Sequence, residues 1–190
     1  MMSVKIIVVS GPSGVGKSSF VDRLCAEDDR FVDIPTFTTR SPRAGESQGR
    51  PYFFVDRKEF ERKITEGFFV EWQQVHGNLY GTPRSFIEEA WRKGKTVIID
   101  LDVKGAQAFR EQMSDGLKTL FILPPNLEEL RRRILARDPA RPPQDLTLRL
   151  DNARYEIEQA SRFDAQIVND QLEGSYQEFK KIIDSWISPK

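Results

Sequence analysis

Residues 11–19 read GPSGVGKSS and combine the residue types that bind phosphate groups. Gly11 and Gly16 bracket four residues and are followed by Lys17 and Ser18, which matches the pattern G-x-x-x-x-G-K-[ST]. Glycines let backbone N–H groups face phosphate oxygens, lysine adds positive charge, and the serine hydroxyl can complete a Mg²⁺ shell. We therefore predict a nucleoside triphosphate site formed by Gly11, Pro12, Ser13, Gly14, Val15, Gly16, Lys17, Ser18 and Ser19.

Two carboxylates follow a second candidate strand, TVIID at 96–100. Asp100 ends this run and Asp102 lies two residues later, so in an extended chain the two side chains share a face. Asp100 suits a position near magnesium, and Ser18 is the other candidate metal ligand. The alternative is that an aspartate here caps the following helix.

The composition excludes several classes of partner. The 190 residues contain 29 Lys plus Arg and 29 Asp plus Glu, so no overall field favours a nucleic acid or an anionic membrane. Cys25 is the single cysteine and cannot form an internal disulfide, which fits a reducing compartment. The N-terminal sequence MMSVKIIVVSG lacks a signal-peptide pattern. We expect a cytoplasmic protein that acts on small molecules.

The segments that would position these residues alternate between strand and helix, which predicts an α/β fold with a doubly wound parallel sheet. Asn126 and Glu129 form a capping box at the start of one helix. The candidate strands lie at 4–10, 96–100, 118–123 and 165–170, and the candidate helices at about 18–27, 103–113, 126–137, 144–161 and 175–186.

Two segments break this alternation. Residues 31–82 contain the strand-like runs FVDIP, PYFFV and FFVEWQQV, a helix that begins after Asp56, and a turn at Gly77-Asn78. The second segment, near 126–155, is helical, rich in arginine and interrupted by prolines. We predict a single domain with a core (1–33, 83–125 and 156–190), a β-rich lobe (34–82) and a helical insertion (126–155).

Several ordered motifs resemble those of the guanylate kinase family over nearly the whole chain. After the phosphate loop come TFTTRSPRAGES at 36–47, PYFF at 51–54, VEWQQVHGNLYGTP at 70–83, DLDVKG at 100–105 and ILPP at 122–125. The resemblance implies a core, a GMP-binding lobe and a lid, and the Mg²⁺-dependent reaction ATP + GMP → ADP + GDP. GMP and ATP would then be the substrates, with dGMP as a further candidate acceptor.

The acceptor phosphate needs a cationic site. Arg40 and Arg43 lie on one short loop, and guanidinium groups suit a forked contact to phosphate oxygens. By resemblance, Tyr52 and Tyr80 donate to the same phosphate, and Arg40 also contributes to catalysis. The alternative is that the arginines are solvated and the tyrosines belong to the core.

Guanine presents N–H donors at N1 and N2, and a carboxylate can accept from both, whereas it would repel the N1 acceptor of adenine. The resemblance implies that Glu71 and Asp102 read guanine and that Thr36, where serine is usual in the family, and Thr82 supply hydroxyls. We also expect Asp100 beside the acceptor. An exposed strand position is the alternative for Glu71.

Catalysis needs no general base, because the second pKa of a phosphate monoester is about 6 and the attacking oxygen is already ionised. We interpret His76 as a turn residue. The resemblance implies that lid arginines neutralise the transferring phosphate and that Asn169 lies near the adenine of ATP. The proposed lid arginines are Arg133, Arg137 and Arg149, whereas Arg131 and Arg132 are expected to be solvated.

The lid departs from the family pattern, which usually has glycine after the second lid arginine. Asp138 stands there, within the proline-rich stretch ARDPARPPQD, and this puts the mobility of the lid in question. Two other functions remain alternatives: a kinase for another acceptor such as AMP, and a non-catalytic module that binds phosphopeptides. The paired carboxylates argue against the first, and the intact phosphate loop argues against the second.

Overall fold

The structure, a computed structural model, describes residues 4–43, 45–75, 77–136 and 146–187. His76, Arg137, Asp138 and the prolines of the second insertion lie outside the described residues. The elements in chain order are β1 (Ile6–Ser10), α1 (Lys17–Glu27), β2 (Phe31–Val32), β3 (Thr36–Thr38), β4 (Tyr52–Phe54), α2 (Arg57–Thr65), β5 (Phe69–Val75), β6 (Asn78–Pro83), α3 (Arg84–Arg92), β7 (Thr96–Asp100), α4 (Val103–Gln112), β8 (Leu117–Leu123), α5 (Leu127–Ala136), α6 (Leu146–Glu158), a 3₁₀ turn at Ala160–Arg162, β9 (Ala165–Val168) and α7 (Leu172–Ile187).

A parallel sheet with the strand order β2-β7-β1-β8-β9 forms the core. All residues of the central strand β1 are buried, because helices cover both faces of the sheet. Ile7 and Val9 pack toward α1 and α7, whereas Ile6 and Val8 pack toward α3 and α4. The predicted α/β fold is therefore confirmed.

Two details of the sequence interpretation are wrong. The run FVDIP is placed among the strands that break the α/β alternation, but Phe31–Val32 pairs in parallel with β7 and forms the edge of the core sheet, within the predicted core range 1–33. No helix was predicted after the insertion, where α3 occupies Arg84–Arg92. Pro83 precedes this helix and no side chain caps it, so the usual polar start signal is missing. Burial of Ile87 and Ala90 against the core stabilises the helix instead.

A second sheet, in the order β4-β3-β6-β5, is formed by the segment between β2 and α3. A cluster of buried apolar residues that includes Phe37, Phe60 and Phe69 joins this sheet to α2. Asp56 caps α2 as predicted, since its carboxylate accepts a 2.7 Å hydrogen bond from the Glu59 N–H. This sheet is the platform on which the candidate acceptor residues lie. The predicted domain boundaries stay a prediction.

The helix that follows the phosphate loop is tied to the last helix. The Tyr176 hydroxyl donates a 2.7 Å hydrogen bond to Glu27, and Arg23 of α1 pairs with Glu173 at 2.6 Å. The Arg23 guanidinium also lies 3.9 Å from the centre of the buried Tyr176 ring. These contacts fix α1, and with it the loop, against the sheet. None of the helices in the described ranges is both long and apolar enough to cross a membrane.

Candidate active site

A single cleft of about 700 Å³ is lined by the phosphate loop, by both sheets and by α5 and α6. Its walls bring together most of the residues that the sequence predicts. Those that line it are Gly11, Ser13, Gly14, Gly16, Lys17, Ser18, Ser19, Thr36, Arg40, Arg43, Tyr52, Glu71, Tyr80, Thr82, Asp100, Asp102, Arg133 and Arg149.

The phosphate loop follows β1 directly and needs its glycines. Gly11 has φ 141° and Gly16 has φ 103°, backbone angles that residues with a Cβ rarely adopt. Gly16 ends the loop and α1 begins at Lys17, so the first N–H groups of the helix face the cleft. The Lys17 ammonium donates a 2.6 Å hydrogen bond to the Gly11 carbonyl and lies on the loop itself. The loop therefore presents N–H groups and a cation to the cleft, which is the arrangement expected of an anion site.

Pro12, Val15 and Asn169 do not line the cleft. Val15 is fully buried in the core below the loop. Asn169 is only 4% exposed and donates a 2.8 Å hydrogen bond from Nδ2 to the Val15 carbonyl, so it supports the loop from beneath. Its contact with adenine stays a prediction.

The predicted acceptor-phosphate residues meet on one wall of the cleft. The Arg40 guanidinium lies 5.4 Å from the centre of the Tyr52 ring, and the Tyr52 and Tyr80 ring centroids are 5.8 Å apart. Burial, followed by the nearby Asp100 carboxylate, raises the pKa of Tyr52, so its hydroxyl remains protonated and able to donate. Arg43 is exposed at the rim. Together these groups offer several donors to one anion.

The predicted base-reading residues meet deeper in the cleft. Glu71 and Thr82 are directly opposite each other on β5 and β6, and the Thr82 hydroxyl donates a 2.6 Å hydrogen bond to Glu71 Oε1. Glu71 is 6% exposed, and burial raises its pKa to about 7; the Thr82 bond lowers the pKa and the charge of Asp102 raises it further. The alternative of an exposed strand glutamate is therefore wrong.

Asp102 caps the following helix, which is the alternative that the sequence left open, and its part in reading guanine stays a prediction. It is the N-cap of α4, with Oδ1 accepting a 2.7 Å hydrogen bond from the Gly105 N–H, and it also lines the cleft. A Cβ built on Gly105 would lie 3.1 Å from Asp102 Oδ1 and 3.4 Å from Glu71 Oε2. The two carboxylates thus approach the same space, which the missing side chain of Gly105 keeps open.

Of the arginines of α5, one faces the cleft and two are exposed to solvent, as the sequence predicts. Asn126 accepts a 2.8 Å bond from the Glu129 N–H, which confirms the predicted cap. Arg133 reaches the cleft and donates to the Glu129 carboxylate at 2.7 Å and to the Asn169 carbonyl at 2.9 Å. Arg131 and Arg132 are exposed.

Sequence reasoning missed other acids of the cleft, among them Asp22, Asp33 and Glu156. Burial, together with Asp100 and Asp22, raises the pKa of Asp33 to about 8. Burial also raises the pKa of Glu156 to about 7, although the positive charge of Lys17 opposes the shift. Asp22 had a sequence signal, since it lies one helical turn after the loop serine. The other two come from segments whose approach to the loop only the fold shows.

Comparisons with known proteins give one consistent result. A sequence model of the guanylate kinase family matches residues 3–186. The chain belongs to the guanylate kinase family. It is 54% identical to the guanylate kinase of Bdellovibrio bacteriovorus, over 98% of this chain and all of that protein. Identity to the guanylate kinase of Oleidesulfovibrio alaskensis is 46%, over 92% of this chain and 84% of that protein.

A solved structure supports the same assignment. The guanylate kinase of Anaplasma phagocytophilum matches with a TM-score of 0.81 and 33% sequence identity, covering 100% of this chain and 89% of that chain. The family function is ATP-dependent phosphorylation of GMP. The predicted fold class and the transfer of a phosphoryl group from ATP to GMP are thereby confirmed, whereas the Mg²⁺ dependence stays a prediction; a phosphopeptide-binding module or a kinase for AMP is not supported.

Proposed function

We propose that this chain transfers the γ-phosphoryl group of ATP to GMP in a Mg²⁺-dependent reaction, with both nucleotides in the cleft described above. The observation that carries the proposal is the continuity of that cleft. The phosphate loop and the acceptor residues Arg40, Glu71 and Thr82 line one space of about 700 Å³. ATP and GMP can therefore be bound next to each other, so that the phosphoryl group passes directly from one to the other.

The donor side offers groups that fit a magnesium ion bound with ATP. The Ser18 hydroxyl and the Asp100 carboxylate both line the cleft beside the loop. Mg²⁺ prefers oxygen ligands and is usually held by one or two protein groups together with substrate phosphates and water. When bound, the ion would neutralise phosphate charge. We propose Ser18 and Asp100 as its protein ligands.

The acceptor is recognised at two ends. Arg40, Arg43, Tyr52 and Tyr80 bind the phosphate of GMP, which is already ionised at neutral pH and needs no base. At the other end, ionised Glu71 accepts from N1–H and the amino group of guanine, with Asp102 and the hydroxyls of Thr36 and Thr82 completing the contacts. Holding both ends aligns the attacking oxygen with ATP.

Charge neutralisation supplies the remaining catalysis. Lys17 contacts the β- and γ-phosphates, and the proposed lid residues Arg133, Arg137 and Arg149 surround the transferring group and exclude water. Arg133 and Arg149 line the cleft, which supports their roles. Arg137 lies outside the described residues, and its role rests on the family resemblance. We also propose a cytoplasmic location, which the single cysteine supports.

A coupled ADP-release assay tests the proposal. The purified chain is supplied with ATP and Mg²⁺ and then with GMP, dGMP, AMP, CMP or UMP in parallel. We expect GMP to accelerate ADP production far above the background, and a chelator to abolish the effect. Equal rates with and without any monophosphate would contradict the proposal.

A further inference from the structure

Glu46 makes contacts that connect the two arginines of the acceptor-phosphate wall. Its Oε1 accepts a 2.9 Å hydrogen bond from Arg40 Nη2, and its Oε2 accepts a 2.7 Å bond from the Arg43 N–H. The Glu46 N–H in turn donates to the Arg43 carbonyl at 3.1 Å. One carboxylate therefore holds the side chain of Arg40 and the backbone of Arg43 at the same time.

The ion pair between Arg40 and Glu46 is shielded from water. Their side chains are 12% and 15% exposed, whereas those of Arg57 and Glu61, which form an ion pair on α2, are 59% and 55% exposed. Charges attract more strongly away from solvent, and exposed pairs contribute little. Burial alone would raise the pKa of Glu46, but the hydrogen bonds from Arg40 and Arg43, followed by the positive charges of the two arginines, lower it, so the carboxylate stays ionised.

The guanidinium of Arg40 is held on its other sides as well. Nη1 donates a 2.7 Å bond to the Ser41 carbonyl, and the rings of Tyr52 and Phe54 lie 5.4 and 5.7 Å from the guanidinium carbon. The bonds to Ser41 and Glu46 use two of the five N–H donors of arginine. Arg40 still lines the cleft, so further donors are available to an anion there.

We propose that Glu46 is a positioning residue for the phosphate of the acceptor nucleotide. It orients Arg40 and Arg43 toward one anion and makes no contact with that anion, which carries the same sign of charge. The proposal rests on the proposed function of the two arginines. It assigns Glu46 to the phosphate end of the acceptor, separate from the guanine end at Glu71.

The two ends of the acceptor can be tested separately, because guanosine has the base but lacks the phosphate. The test measures by calorimetry the binding of GMP and of guanosine to the parent, to Glu46→Gln and to Glu61→Gln. The amide of Glu46→Gln keeps one acceptor but turns an NH₂ group toward a donor of Arg40 or Arg43. We expect GMP affinity to fall about tenfold while guanosine affinity and the KM for ATP stay within about twofold. Glu61→Gln breaks only the exposed pair with Arg57 and should change neither affinity.

Three outcomes for Glu46→Gln would overturn the proposal, and a fourth concerns the parent. Unchanged GMP binding in Glu46→Gln would show that the arginines need no positioning, and tighter binding would show that Glu46 competes with the phosphate. Equal losses for GMP and guanosine would show general damage to the lobe.

Arg40→Ala separates this proposal from the proposed function. If Arg40→Ala weakens GMP binding and Glu46→Gln does not, only the role of Glu46 is wrong. If the parent binds guanosine as tightly as GMP, the arginine site itself is wrong, and the role of Glu46 with it.

Discussion

The Thr82 hydroxyl donates a 2.6 Å hydrogen bond to Glu71 Oε1, directly across the β5–β6 pair. This bond orients the carboxylate and occupies one of the two acceptor positions of Oε1. The other oxygen, Oε2, faces the space beside Gly105. A base that enters this space meets an acceptor whose direction is set before binding.

Glu71→Gln should therefore damage guanine recognition. The Thr82 hydroxyl would retain the amide oxygen as its acceptor, so the NH₂ group would replace Oε2 and oppose the N–H donors of guanine. A charge-assisted hydrogen bond contributes about 1.5–3 kcal/mol, so kcat/KM for GMP should fall by about 10- to 150-fold. Discrimination against AMP should shrink, because NH₂ can donate to N1 of adenine. The measurement is kcat/KM for GMP and for AMP. An unchanged GMP/AMP ratio would show that Asp102 and the threonines, and not Glu71, recognise the base.

The raised pKa of Glu71 predicts that guanosine binding depends on pH. Burial holds this pKa at about 7, and the negative charge of Asp102 adds to the shift. Because only the ionised form accepts from both guanine donors, guanosine affinity should rise from pH 5.5 to 8, by about tenfold per unit well below the pKa. Guanosine is the appropriate ligand, since the GMP phosphate itself titrates at about 6. Glu71→Gln should flatten this profile, and a parent profile as flat as that of the variant would contradict the prediction.

The same pKa shift affects stability without nucleotide. The folded-state pKa of Glu71 is raised from 4.5 to about 7, so the folded state favours the protonated form. Its stabilising contribution is complete below pH 4.5 and is lost as the pH rises through about 7. Chemical denaturation of the parent and of Glu71→Gln across this range should show the parent losing more stability. Parallel curves would argue against the shift.

Gly105 and Gly174 form a matched pair for testing the space between the two carboxylates. Both are helical, but a Cβ on Gly174 would meet nothing within 4 Å, whereas one on Gly105 would contact Asp102 and Glu71. Gly174→Ala should add about 1 kcal/mol of stability with unchanged kinetics. Gly105→Val should raise KM for GMP by about tenfold or more, because its side chain fills that space, and should spare KM for ATP. Equal GMP kinetics in both variants would show that the base binds elsewhere.

Lys17→Ala should separate catalysis from acceptor binding. The Lys17 ammonium lies on the phosphate loop, within 2.6 Å of the Gly11 carbonyl, and is the cation that the loop itself supplies. Contacts of this kind to a transferring phosphoryl group are worth about 10³-fold or more in kcat. GMP binding in the absence of ATP should stay within about twofold, and Lys58→Ala, at an exposed position of α2, should leave kcat unchanged. A loss of less than about tenfold in Lys17→Ala would contradict the proposed role.

The sequence correctly predicts those features of the fold that depend only on residues a few positions apart. The phosphate loop lies between a β-branched run and a helix, and the caps at Asp56 and Asn126 form with neighbours three residues away. By contrast, α3 lacks a polar cap, and only its packing on the core reveals it. No sequence motif marks Glu156, because its approach to Lys17 depends on how α6 packs beside the cleft. The candidate base-reading residues were identified from the family resemblance and not from hydrophobic periodicity.

The second sheet is built from one uninterrupted stretch of chain, and that stretch carries nearly every proposed contact to GMP. Under the proposed function, substitutions between β3 and β6 would alter the accepted base while the phosphate loop stays unchanged. Asp100 and Asp102 are the exceptions, because they belong to the core, and Asp102 also caps α4. Under the proposed function, a substitution of Asp102 would change base recognition and the stability of the fold together, and this would constrain how the acceptor site diverges.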